Sequence, residues 1–195
     1  MENEMKFAET VMLIDAAYLD RVGVDLAKHF GEEVLGRKLP KADLPVMLEC
    51  LSLDAGVQLG ENAIQVLFIY DVESKRMDAF QPGDLVKELH NVAFKSQLGE
   101  FSLFSFEPSE MTTREELFTE SLKLVIEAKE VKRMVVVPAE EEYGDKVSTL
   151  LNKVEGKEAI TVFGMNPPTG EVTYQWEMLG FALLQSLGIK ADEIK

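Results

Sequence analysis

Short, wholly apolar runs alternate along the chain with longer stretches whose apolar positions recur at helical spacing. Residues 11–14 form the first such run and end at Asp15; the spacing of Ala16, Leu19, Val22, Leu26 and Phe30 then predicts a helix, closed by Gly36 and Pro40. A second helix is predicted over 44–53, ahead of the glycine-bounded turn at 56–60, and a second strand over 63–70, followed by Asp71. The polar stretch 72–80 reads as a loop, Pro82 and Asp84 suit the start of a short helix reaching His90, and 101–106 reads as a third strand with Glu107 behind it. Ser109, Thr112 and Thr113 offer N-caps for a helix from Arg114 to Lys129, whose apolar face carries Leu117, Phe118, Leu122 and Val125. A fourth strand over 134–137 leads into Glu140, a helix over 141–154 stops at Gly156, and a fifth strand spans 159–163. Asn166-Pro167-Pro168-Thr169-Gly170 is a loop, after which Trp176, Leu179, Leu183 and Leu187 predict a C-terminal helix ended by Gly188.

Strands that read as continuous apolar runs are buried on both faces, and their alternation with helices predicts βαβ units. The expected architecture is α/β: a three-layer sandwich with a mostly parallel central sheet. One domain covers residues 1–195, with 166–195 as a C-terminal loop and helix extension, because no repeat, low-complexity tract or linker divides the chain.

Composition narrows what this fold can do. At 46% hydrophobic residues the chain can build one sizeable core, yet no apolar run approaches the roughly 18 to 20 residues that cross a bilayer. Residues 1–10 lack the basic start, apolar middle and small-residue cleavage site of a secretory signal, so a cytoplasmic protein with no membrane span is expected. Cys50 stands alone, cannot form an intramolecular disulfide, and reads as a small buried hydrophobe. His29 and His90 have no cysteine at ligand spacing, which argues against zinc. Thirty-five acids against 20 bases give a formal net charge of −15, which opposes non-specific nucleic-acid binding. Contact with RNA would need a local basic rim. Arg37, Lys38 and Lys41 form one candidate cluster, and Lys129, Lys132 and Arg133 another; both equally suit an ordinary solvated surface.

The sequence has no Gly-x-Gly-x-x-Gly, no Walker-type Gly-Lys-Ser/Thr and no Gly-x-Ser-x-Gly. Attention therefore falls on the carboxyl ends of the strands, where open parallel sheets bind ligands. Those ends carry Asp15, Asp71, Glu107, and Glu140 with Glu142. If three or four of these carboxylates converge, a hard divalent cation such as Mg²⁺ or Mn²⁺ would relieve their repulsion and could activate water. The same acids would also suit the first turns of the helices that follow, where free N–H groups and the helix dipole favour negative charge.

The run Val11-Met12-Leu13-Ile14-Asp15-Ala16-Ala17-Tyr18-Leu19 resembles the opening strand of NYN domains, the PIN-like nucleases, in which an apolar strand ends in Asp and then Gly-x-Asn-Leu. Val135-Val136-Val137-Pro138-Ala139-Glu140-Glu141-Glu142-Tyr143 is similar to the family's later strand and Ser-Gly-Asp-x-Asp-Phe motif, and residues 159–164 resemble the strand that follows. The resemblance implies a PIN-like (Rossmann-like) fold and RNA phosphodiester hydrolysis by metal-activated water. It also implies Asp15, Glu120, Glu140 and Glu142 as the catalytic and metal-ligating residues for Mg²⁺ or Mn²⁺. The motifs depart from the family pattern in three ways. Ala16 and Tyr18 stand where Gly and Asn are expected, Asp-x-Asp has become Glu-x-Glu, and Arg114 stands where a further acid would be expected, with Glu116 near it. The alternative implied by these changes is a catalytically inactive PIN-like module for protein interaction or regulation. Its contact surface would be the C-terminal helix around Tyr174, Trp176, Met178, Phe181 and Leu184, residues that would equally pack on the domain's own sheet. A small-molecule binder at the strand ends is a third class, because fold alone does not assign function.

Overall fold

A computed structural model describes residues 6–194; the part of the leader reading that concerns residues 1–5 lies outside them. The first strand, β1 (Thr10–Asp15), is buried at every position, because it has strands on both sides and helices on both faces. Parallel partners flank it: β3 (Asn62–Ile69) with Leu13 opposite Leu67, and β7 (Arg133–Val137) with Leu13 opposite Val136. Beyond β3 come β6 (Gly99–Phe106), parallel, and β5 (Val92–Ser96), the antiparallel edge. Beyond β7 come β8 (Ala159–Gly164) and β9 (Gln175–Met178), both parallel. The seven-stranded sheet thus runs β5-β6-β3-β1-β7-β8-β9. Counting only the parallel strands in chain order, this is 3-2-1-4-5-6, the doubly wound arrangement whose order reverses between β1 and β7. The chain is α/β with a mostly parallel central sheet, as expected.

Helices cover both faces. On one, α2 (Leu44–Asp54) packs against α5 (Leu179–Ser186), which also touches α1 (Ala16–Lys28); α3 (Arg114–Glu127) and α4 (Glu140–Leu151) pack together on the other. The end of α1 widens into a π-helical turn, His29–Leu35, closed by Gly36 in the left-handed region at φ 65°. A small parallel pair, β2 (Ala42–Asp43) and β4 (Phe80–Gln81), sits apart from the main sheet. No helix among the described residues is long and apolar enough to cross a membrane.

Three local expectations change. The region after Pro82 is one turn: Glu88 N–H bonds the Asp84 carbonyl at 2.9 Å, while the Asp84 carboxylate accepts from Val86 and Lys87 and draws the backbone away from a continuing helix. Residues 175–178 add to β8 as a strand, so the C-terminal helix begins only at Leu179 and Trp176 lies on the sheet. Cys50 is half-buried, with its thiol 3.2 Å from Gln185 Oε1, so it is not a fully buried core residue.

Candidate functional site

The reversal of strand order opens the crevice between the carboxyl ends of β1 and β7, and Asp15 is the last residue of β1. Its carboxylate is fully buried and fully engaged. Oδ1 accepts the Tyr18 N–H at 3.0 Å as the N-cap of α1, and Oδ2 accepts the Tyr143 hydroxyl at 2.5 Å and Arg114 Nε at 3.0 Å. The capping role and a role in the crevice thus coincide in one side chain.

Arg114 reaches this point because it is the first residue of α3, whose start is fixed by a capping box. Thr113 Oγ1 accepts the Glu116 N–H and Glu116 accepts the Thr113 N–H, each at 3.1 Å. From there each guanidinium nitrogen meets a different acid: Nε meets Asp15, Nη1 meets Asp71 at the end of β3, and Nη2 meets Glu142 at 2.6 Å. The Arg114 side chain is only 16% exposed, and its planar fork of donors suits three separate acceptors in a way a lysine cannot match. Burial would pull the Arg114 pKa down, but Asp15, Asp71 and Glu142 outweigh it and raise it, so the cation is permanent. For Asp71, burial works upward, yet the Ser74 hydroxyl and Arg114 prevail and hold its carboxyl below the ordinary value. Burial and the neighbouring Asp15 push the Tyr143 phenol upward, keeping it a donor. To aim that hydroxyl, Tyr143 leaves helical geometry inside α4, at φ −146° and ψ 23°.

Glu140 belongs to an adjacent network. Its Oε1 accepts from the Tyr18 hydroxyl at 2.9 Å, the Met165 N–H at 2.9 Å, and the Asn166 N–H at 3.2 Å. Gly164 makes room for it, since a Cβ there would overlap Glu140 Oε2. Burial and then Glu140 raise the Tyr18 phenol, so it too remains a donor.

The four acids expected to hold a metal therefore do not converge. Asp15 and Glu142 share Arg114, Glu140 faces Tyr18 and the start of the loop after β8, and Glu120 points outward from α3 with Lys123 at 3.3 Å as its partner. Asp71 joins the cluster, while Glu107 is exposed beyond β6. A divalent cation does not fit this donor set, because a guanidinium already lies among the three carboxylates and repels a second cation there. Among the described residues no group of three or more His, Cys, Asp and Glu side chains is placed to hold a metal ion.

Two basic side chains near the crevice are paired internally: Arg21 lies 3.6 Å from Glu141, and Lys146 pairs with Glu115. Of the clusters considered for RNA, Arg37 pairs with Glu193, Lys132 pairs with Glu9, and Arg133 donates to the Ala55 carbonyl at the opposite end of the sheet. Sequence reasoning noted Arg114 as a departure without seeing it as the occupant of the site. The available signal was an arginine immediately behind a strong N-cap, in a chain whose strand ends are otherwise acidic.

A family model described as a family of unknown function (DUF6621) matches residues 4–194. No curated protein and no solved structure matches the chain.

Proposed function

We propose that this chain, which belongs to the family of unknown function DUF6621, is a PIN-like domain in which the Arg114 guanidinium stands in for the divalent cation, and that it works as a non-catalytic interaction or regulatory module. The observation that carries this reading is the three-way pairing of Arg114 with Asp15, Asp71 and Glu142 at the reversal point of the sheet. A fixed monovalent cation offsets part of the negative charge of the strand ends and cross-links them, but it has no exchangeable water to activate. The pairing also ties α3, α4, β1 and β3 together, which suits a scaffold better than a site that must open and close around a substrate. Two further features support the reading: the central sheet is mostly parallel, as a Rossmann-like fold requires, and the basic side chains Arg21 and Lys146 near the crevice are paired with acids.

A cleavage assay with single-stranded RNA and Mn²⁺ tests it, with the Glu142→Gln variant run alongside. The expected result is no hydrolysis above that of buffer for either protein. Mn²⁺-dependent cleavage by the wild type that disappears in Glu142→Gln would overturn the proposal.

A further inference from the structure

At the other side of Glu140 a groove of about 490 Å³ opens between α4 and the loop that joins β8 to β9. Its apolar wall is made by Pro167, Pro168, Tyr174 and Trp176. Its polar lining carries Glu140, Glu141, Asp145 and Glu171, and no lysine or arginine lines it. The acids here differ from those around Arg114: no hydrogen bond or ion pair engages the Asp145 or Glu171 carboxylate among the described residues, and Glu141 has only the 3.6 Å contact with Arg21. The groove thus holds uncompensated negative charge beside two aromatic rings, a combination that attracts ammonium and guanidinium groups through both carboxylates and ring faces.

The wall is built in advance of any ligand. Tyr174 and Ser148 share a hydroxyl hydrogen bond at 2.7 Å, Asn152 Oδ1 accepts the Thr173 N–H at 3.0 Å, and Asn152 Nδ2 donates to the Glu171 carbonyl at 3.3 Å. Together with the hold of Glu140 on Met165 and Asn166, these bonds pin the loop to α4 at both ends. Trp176, which lines the groove, belongs to β9, the last strand of the sheet, whose outer edge has no strand partner among the described residues. A free edge offers main-chain hydrogen bonds to an added strand, and the chain's net charge of −15 draws in a basic one.

We infer that this groove is a docking site for an extended, lysine- or arginine-bearing peptide segment of a partner protein. The inference names a partner for the interaction module proposed above and rests on that reading, but it uses different residues. Arg114 and the carboxylates it holds do not line the groove.

Trp176 is the chain's single tryptophan and lies in the groove wall, so its emission reports occupancy directly. The probe is a capped octapeptide of alternating lysine and alanine, titrated at low ionic strength. An alternating glutamate and alanine octapeptide and free spermidine serve as the other arms. The expected result is a saturable emission change with the lysine peptide alone, its affinity reduced about tenfold in the Asp145→Asn, Glu171→Gln double variant. That variant keeps every hydrogen bond described here, and a thermal melt checks that it is folded. Three results would each overturn the inference: no emission change with the lysine peptide, a double variant that binds as tightly as wild type, or spermidine acting as well as the peptide. Any of them would leave the Arg114 reading standing, and RNA cleavage would overturn that reading without touching the peptide titration.

Discussion

Asp15 shows how much one residue can be asked to do: it caps α1, accepts the Tyr143 hydroxyl and anchors Arg114, all while fully buried. Breaking such a buried pairing from one side typically costs about 3–5 kcal/mol, because the remaining charge is stranded. Asp71, partly exposed, gives a gentler and more readable signal. Its folded pKa lies below the ordinary value of 3.8, so it contributes stability above that pH and loses it as pH falls through 3.8 toward the folded value. Urea denaturation across that window is expected to show a shallower acid loss in Asp71→Asn than in wild type; equal slopes would contradict the assignment. Gly164 supplies a steric test of the neighbouring network. Gly164→Ala is expected to cost about 1–3 kcal/mol by displacing Glu140 from the Met165 and Asn166 N–H groups. Combined with Glu140→Ala the cost should be less than additive in a double-mutant cycle. Of these features, the acid behind β1 was legible in the sequence. The partners that consume it were not, because Arg114 and Tyr143 lie 99 and 128 positions away and meet it only through the fold.

The elements that read correctly are those whose pattern is set by burial on both sides. The apolar runs of β1, β3 and β7 and the capped, amphipathic α3 need no tertiary information to be seen. The edges were harder. β5 is largely exposed and alternates only weakly, and residues 175–178 share their apolar spacing with the helix that follows, so only pairing with β8 makes them a strand. The half-burial of Cys50 was not legible for a similar reason, since its thiol faces Gln185 of α5, far along the chain. The start of α3 matters beyond its own stability, because Arg114 is launched from it. Thr113→Ala is expected to lower stability by about 1 kcal/mol through loss of the cap. An additional loss through Arg114 would show as a double variant, Thr113→Ala with Asp71→Asn, that costs less than the sum of the two single changes. Chemical denaturation of the two single variants and the double variant measures both effects.

At the scale of the whole molecule, doubly wound α/β architecture follows from alternating strands and helices, and so does the location of the crevice. The occupant of the crevice does not follow. An acidic chain with a net charge of −15 must neutralise the carboxylates that its strand ends bring together, and a bound divalent ion and a well-placed arginine are two ways to do so. Spacing along the chain cannot distinguish them, whereas the geometry around Arg114 favours the arginine. The most direct test is a calorimetric titration of Mn²⁺ into wild type and Arg114→Gln, each checked first for folding by thermal melt. The account predicts no binding by wild type and a saturable site in Arg114→Gln, with Mn²⁺ also raising the melting temperature of that variant alone. Saturable, stoichiometric binding by wild type that is lost in Asp15→Asn would contradict it.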